Sequence, residues 1–437
     1  MRSLAEQILK QYKKQFAARV QILNEWAALY GGLLESNVAG QPYVGYNALL
    51  LSQIELHSIT ALTTDFGRIM TKALQAIVEA GPATYRKLGW PELLDYALRY
   101  EPPNLYLTTV GRFDFGLNQA GEWQLLEFNS DTPSGSQEVT LIEERLFRSL
   151  SRLAPVARLN PRIAQDMAQA FYDEALFAPM PYTAPEEEGP RLLPRLGFLT
   201  KARHLTDLAQ TEYYATALRD KGLECIVSDI LNVSLAGGEL LLMGQPIDAI
   251  WRLYPIENFS RSPLFAAYTQ ANLIGVLKCL NNLRGFLAQS KAVMAWLWQE
   301  RENSELFEAH EQALINRYLP ETYLLADLPE DFDYRPFIIK EFYGREGAEV
   351  FDGADLTPQR WQECREWGTY VAQRRVDLTT VPHLVVGQQE QAQLVEAFPC
   401  VGGFLVAAKW AGCYSRIGAK ITNSQAQFIP TWLDLAQ

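Results

Sequence analysis

Between Arg195 and Tyr254 the sequence alternates strand and helix in a pattern that only a sheet with crossover connections satisfies. RLGFLT (195–200) reads as a strand, TDLAQTEYYATALRDKG (206–222) as a helix closed by glycine, and LECIVSD, ELLLM and IDAIWRLY as further strands. Strands joined through a helix demand a right-handed crossover, so this stretch predicts a small parallel or mixed sheet with helices on it. Upstream it is set off by PMPYTAPEEEGPRLLP (179–194), whose proline and glutamate content reads as a linker or surface loop.

The flanking stretches follow other rules. Residues 1–103 read mostly as helices, broken at Gly31-Gly32, Gly40-Gln41-Pro42, Gly81-Pro82 and Glu101-Pro102-Pro103. From Leu105 to Asn118 and from Glu122 to Ser130, β-branched and aromatic residues surround the short turn Gln119-Ala120-Gly121 and predict a hairpin, with a helix from about Ser136. A helical region at 291–317 carries Trp296 and Trp298, and PFIIKEFYGREGAEVF, WGTYVAQRRVDL, HLVVG, GGFLVAAKW and CYSRIGAKITN then supply strands. No internal repeat is visible. Single cores stop growing near roughly 250–300 residues, so 437 residues predict several lobes, in a mixed α/β fold, with a cleft between them.

Composition excludes several classes of function. Hydrophobic residues make up 48% and charged residues 21%, ordinary for a packed protein. The first residues, MRSLAEQILKQYKKQ, are charged throughout and lack the apolar run of a signal peptide, and no stretch approaches the ~20 apolar residues of a membrane span. Five scattered cysteines without a CxxC pair argue against a disulfide framework or a zinc site and fit a reducing cytoplasm. A net charge of −12 disfavours nucleic acid and leans towards a cationic substrate such as a polyamine, although many cytosolic enzymes are acidic.

Three constellations carry chemistry. The first is VGRFDFGLNQAGEWQLLEFNSDTPSG (110–135). A hairpin turning about Ala120-Gly121 places Asp114 opposite Glu127 and Arg112 opposite Asn129, all on one face because strand side chains alternate. Two carboxylates side by side repel unless a cation lies between them, and the Asn129 amide completes an oxygen set suited to magnesium and phosphate. Arg112 at its rim can take a phosphoryl group bidentately. The plainer alternative is a solvated hairpin face with an ion pair. Against it, Glu127-Phe128-Asn129 ends an apolar strand and runs into the polar turn Ser130 to Gly135.

The second is PFIIKEFYGREGAEV, in which Lys340 ends an apolar strand just before the loop Gly344-Arg345-Glu346-Gly347. A lysine so placed can hold nucleotide phosphates while a glycine loop closes over them, though a GxxG between strands is more often a plain hairpin turn. It is not a P-loop, and no dinucleotide fingerprint occurs in the chain. The third pairs YVAQRRVDL with KWAGCYSRIGAKITNSQAQFIP: Gln373 at a strand end can meet an adenine edge and Arg416 can neutralise an acyl phosphate, roles that either residue could equally lack.

Taken in order, GRFDF, LLEFNSDTPSG, WRLYPIE, KAVMAWLWQE, KEFYGREGAEV, YVAQRRVDL and SRIGAKITNSQAQFIP resemble the glutathionylspermidine synthase family, a permuted ATP-grasp group. The resemblance spans residues 111–430. It implies an ATP-grasp fold with a helical region at 1–103, a catalytic region from 104–178 and 291–437, and a pre-ATP-grasp-like α/β domain at 191–290. It implies magnesium ligands at Asp114, Glu127 and Asn129 and a phosphoryl-steadying Arg112. It also implies nucleotide contacts at Lys291 and Lys340, a phosphate-covering loop at Gly344 to Gly347, an adenine-side Gln373 and Arg416 near the acyl substrate.

The expected activity is ATP- and Mg²⁺-dependent joining of a carboxylate, glutathione or another peptide, to an amine such as a polyamine, through an acyl phosphate. The expected setting is a cytoplasmic homodimer. The sequence departs from the family at Glu341, where proline is common, at Ile417, where an acid is common, and at Thr431, where a histidine is common. No cysteine precedes Cys225, so the amidase of bifunctional members is not expected. The rivals are a ligase for another peptide or amino acid and a nucleotide-binding protein that has lost ligation.

Overall fold

A computed structural model describes residues 1–33, 37–38, 41–101, 104–178, 193–236, 239–259, 264–273, 277–345, 347 and 349–436. Most of the segment read as a linker, the two prolines at 102–103 and Glu346 lie outside these residues.

The core is organised around a sheet of six strands. Val110–Leu117 and Trp123–Asn129 form the expected hairpin, and Val110–Leu117 pairs on its other edge with the 15-residue strand Ala392–Val406. Lys409–Gly418 and Gln427–Ile429 extend the sheet, while Val381–Val386 pairs with the first part of the long strand. Every residue of Val110–Leu117 is buried, as a central strand covered on both faces requires. Its odd-numbered Phe113 and Phe115 are part of the apolar core, whereas Arg112 and Asp114 line a cavity on the opposite face.

The layer behind Phe113 is the helix Gln53–Ala80. Ser52 and Glu55 form a reciprocal capping box at its start, and Ile59, Leu62, Phe66, Ile69, Met70, Ala73, Leu74 and Ile77 recur at helical spacing as its buried stripe. Phe66 packs on Phe113 with ring centroids 6.3 Å apart, and Gly67 and Gly403 allow the helix and sheet to approach, since a Cβ at either would meet Leu405 or Thr63 at 3.0 and 2.2 Å. Among the described residues, the segment read as helical also holds four short strands: Asn37–Val38 and Gln41–Pro42 pair with each other, and Arg2–Ser3 and Leu49–Leu51 lie side by side. The latter two join Thr431–Asp434 and Val156–Arg158 in a four-stranded sheet. Runs of two or three residues carry too few side chains to display a period, so the sequence reading misses them.

A second, antiparallel sheet runs in the order Thr322–Leu324, Tyr370–Arg374, Phe337–Glu341, Val350–Asp352 and has its own small core of Leu325, Phe337, Ile339, Trp361, Cys364, Tyr370 and Ala372 under the helix Pro358–Trp367. The expected alternating region forms a parallel sheet in the order Lys278–Cys279, Ala249–Arg252, Arg195–Thr200, Glu224–Asp229, with Leu205–Arg219 as its crossover helix. ELLLM belongs to a separate three-stranded antiparallel sheet, Val233–Ala236, Glu239–Leu242 and Gln245–Pro246.

The parallel sheet is fastened to the turn after the hairpin by one fully buried ion pair. Arg252, the last residue of its strand, donates to Asp131 at 2.6 Å, and Asn281 donates to the Asp131 and Arg252 carbonyls at 2.7 and 2.8 Å. Removing one partner of a buried pair leaves the other charge without compensation. Asp131→Ala is therefore expected to lower unfolding free energy by about 3–5 kcal/mol, read by urea denaturation. Among the described residues no helix is long and apolar enough to cross a membrane.

Candidate active site

The central and antiparallel sheets face each other across a cleft of about 900 Å³ lined by Arg112, Asp114, Glu127, Asn129, Lys291 and Lys340, among others. The hairpin pairs Arg112 with Asn129 and Asp114 with Glu127, the register expected from the turn. It is reached by a different route. Nearer the turn Leu117 pairs with Trp123 and Phe115 with Leu125, one residue out of the expected register, and a bulge at Leu126 restores it before Glu127. The bulge also frees the Leu126 carbonyl, which accepts from Lys340 Nζ at 3.2 Å.

Arg112 and Asp114 form a bidentate pair. Nε donates to Oδ1 at 2.6 Å and Nη2 to Oδ2 at 2.9 Å, while Nη1 donates to the Ser134 carbonyl at 2.8 Å. The Arg112 guanidinium lies 4.5 Å from the centroid of the Tyr414 ring, which covers its face. Asn129 donates to Asp114 Oδ2 at 3.0 Å and Glu127 Oε1 at 3.3 Å; the same amide, turned over, offers its oxygen instead. Burial and the neighbouring Glu127 push the Asp114 carboxyl up, against the charge of Arg112. Burial works in the same direction at Glu127, but Lys291, Lys340 and Arg112 outweigh it and hold that carboxyl down at about 2.

The two lysines arrive from different elements. Lys291 is the first residue of the helix Lys291–Glu300, a position where the helix dipole disfavours a cation. It is buried there and compensated by Glu127 Oε2 at 3.5 Å and the Gly344 carbonyl at 2.8 Å. Lys340, on the strand Phe337–Glu341, donates to Gln373 Oε1 at 2.6 Å, and burial lowers its pKa to about 8 although Glu127 opposes the shift. Gln373 is buried and also donates to Thr322 Oγ1 at 3.4 Å, so its side chain serves Lys340.

The glycine loop crosses the cleft. Gly344 accepts from Lys291, and Gly347 takes φ +74°, where a Cβ would stand 2.5 Å from the Thr422 carbonyl, so glycine is required on both counts. Arg345 reaches Glu257 at 2.9 Å and Thr132 Oγ1 at 2.8 Å, tying the loop to the parallel-sheet region and the turn after the hairpin. Glu346 lies outside the described residues. Arg416 lines the cleft and donates to the Asn423 and Ala426 carbonyls at 2.6 and 3.1 Å.

Sequence reasoning missed three participants. Gly402, on the long central strand, lies under the Arg112–Asp114 pair: a Cβ there would stand 2.5 Å from Arg112 Cδ and 2.6 Å from Asp114 Oδ1. Its partner strand is almost three hundred residues away, so nothing local signals it. Tyr414, which covers Arg112, and Tyr43, whose hydroxyl meets that of Tyr414, are equally remote in sequence. Displacements of about 1 Å at a reacting centre can cost on the order of 10²-fold. Gly402→Ala is expected to reduce turnover by about that factor, checked by steady-state kinetics beside a thermal melt.

Two carboxylates and one amide oxygen at the hairpin suit a magnesium ion that takes its remaining ligands from phosphate and water. Among the described residues no group of three or more His, Cys, Asp or Glu side chains forms a metal cage of protein ligands alone. A family model described as glutathionylspermidine synthase preATP-grasp matches residues 21–434. No curated protein matches the chain.

Proposed function

The chain belongs to the glutathionylspermidine synthase family, and from that premise we propose that it is an ATP-dependent ligase joining a carboxylic acid to an amine through an acyl phosphate. The observation that carries the proposal is the convergence of Lys291, from a helix, and Lys340, from a strand, on Glu127 beside the Arg112–Asp114 pair. In a chain of net charge −12, this cleft gathers cations. A polyphosphate is the ligand such a field selects.

A free carboxylate has no good leaving group, and phosphorylation supplies one. The protein's work is then positioning and charge neutralisation, without a covalent nucleophile. Lys291 and Lys340 would neutralise the β- and γ-phosphates, Arg112 would steady the phosphoryl group in flight, and Arg416 would meet the acyl end. Asp114, Glu127 and Asn129 would hold magnesium, which supplies further charge neutralisation at the phosphates when bound. The loop at 344–347 would exclude water from the acyl phosphate. Glutathione and a polyamine are the first acid and amine to test, with other peptides and amino acids next. An ADP-release screen across acids and amines is the experiment: release that requires both an acid and an amine supports the assignment, and release indifferent to both overturns it.

A further inference from the structure

Beyond Arg112 the cavity continues along a chain of two hydroxyls and a carboxylate. Tyr414, whose ring covers the Arg112 guanidinium, has its hydroxyl 2.7 Å from that of Tyr43, and Tyr43 in turn donates to Glu138 Oε1 at 2.8 Å. Glu138 lines the cavity yet is only 5% exposed. It opens a five-residue π-helical turn, Glu138–Ile142, inserted ahead of the helix Glu143–Leu150. Wide turns of this kind cost backbone stability and recur where a side chain has to be aimed. The chain is held close by Gly135, which takes φ +105° and where a Cβ would stand 2.7 Å from Tyr414.

The other carboxylates near the phosphoryl site are committed, Asp114 to Arg112 and Glu127 to the two lysines. Glu138 has a neutral hydroxyl as its hydrogen-bond donor, with the Arg112 and Arg416 charges acting on it less strongly. Burying a carboxylate without a contacting cation is costly unless a ligand supplies one.

We propose that Glu138 receives the ammonium group of the attacking amine and takes its proton. This rests on the ligase reading above. The ammonium gives one proton to Glu138, which frees the nitrogen lone pair for attack on the acyl carbon. The C–N bond forms, and the C–O bond to phosphorus breaks with its electron pair going to the departing phosphate. The second nitrogen proton leaves with that phosphate, and Glu138 returns the first to solvent. Burial raises the Glu138 pKa, which brings the carboxylate closer to the proton affinity this transfer needs. Tyr43 and Tyr414 position Glu138 against the phosphoryl end.

Glu138→Gln keeps the size of the side chain and an acceptor for Tyr43 while removing the charge. With the acid and amine that wild type accepts, the variant is expected to lose about 100-fold in kcat/KM for the amine, chiefly as a rise in KM, with the KM for ATP within twofold of wild type. Hydroxylamine, a nucleophile that is neutral near pH 7.5, needs no carboxylate to receive it. Its trapping of the acyl phosphate as a hydroxamate should survive in the variant. Glu138→Asp, which retains the charge but withdraws it by one methylene, should lie between the two, and thermal melts of both variants report on folding. Unchanged kcat/KM for the amine overturns the proposal. Equal loss of hydroxylamine trapping also overturns it and makes Glu138 a support of the acid site or of the fold. Absence of any acid-dependent ADP release by wild type across a peptide and amino-acid panel overturns the ligase reading itself.

Discussion

Glu127→Ala is expected to abolish turnover, by at least 10³-fold, while leaving nucleotide binding intact or tighter. The reason lies in what Glu127 balances. Lys291 Nζ is 3.5 Å from its Oε2, and Lys340 acts on it from the other sheet. Deleting the carboxylate leaves two cations facing the cleft, which attract polyphosphate, but removes an oxygen that would hold magnesium. Removal of single preorganised electrostatic groups costs on the order of 10²–10³ in kcat, and here one group faces both lysines and would also hold the metal. Asp114→Ala should lose turnover to a similar degree for a different reason, because Arg112 loses its bidentate partner at 2.6 and 2.9 Å and with it its direction. Isothermal titration with an ATP analogue, with and without magnesium, separates the two variants: Glu127→Ala should lose the magnesium dependence of binding. The carboxyl of Glu127 is depressed to about 2, so its charge persists through the ordinary carboxylate range and is lost only near pH 2. Any acidic limb of the activity profile between pH 4 and 6 therefore belongs to another group. Wild-type turnover by either alanine variant with magnesium as the metal would refute the site assignment.

Lys340→Met is expected to cost on the order of 2–4 kcal/mol of transition-state stabilisation with a much smaller loss of thermal stability. The lysine is held by Gln373 at 2.6 Å and the Leu126 carbonyl at 3.2 Å, neither of them charged, so its cation is available to a ligand. Methionine preserves length and apolar packing and removes the charge alone. The same burial gives a pH signature. The ammonium form is lost as pH rises through about 8, so affinity of the nucleotide-free enzyme for ATP should fall above that pH. Bound phosphate favours the cation and should carry the midpoint of the alkaline limb upward in the kcat profile. Single-turnover phosphoryl transfer and ATP affinity measured from pH 7 to 10 in both proteins test this. A variant that retains the alkaline limb would show that the limb belongs to another group.

The parts of the site legible in the sequence were those in which a short period meets a short turn. Alternation along GRFDF and LLEFN was enough to place Arg112, Asp114, Glu127 and Asn129 on one face, because strand side chains repeat every two residues. The same reasoning could not find the bulge at Leu126, since an extra residue leaves no mark in a run of leucines. The crossover pattern at 195–252 was equally plain. The assembly of the central sheet was not. Its third strand, Ala392–Val406, pairs with residues 110–115 across the rest of the chain, and which distant strands meet is set by long-range packing that no local pattern records. Gly402 and Tyr414 were invisible for that reason. Lys291 entered only by resemblance, because a lysine at the head of a helix reads as surface until the carboxylate opposite it is known.

The measurement that reaches the central claim most directly follows an oxygen atom. If the γ-phosphoryl group of ATP passes to a carboxylate before the amine attacks, an acid labelled with ¹⁸O in that carboxylate must deliver one labelled oxygen to the inorganic phosphate released. Glutathione, labelled at its glycyl carboxylate, is the first acid to use, followed by whichever acid supports ADP release. Mass spectrometry of the phosphate should show one ¹⁸O per amide formed in wild type. Amide formation accompanied by unlabelled phosphate would contradict the account.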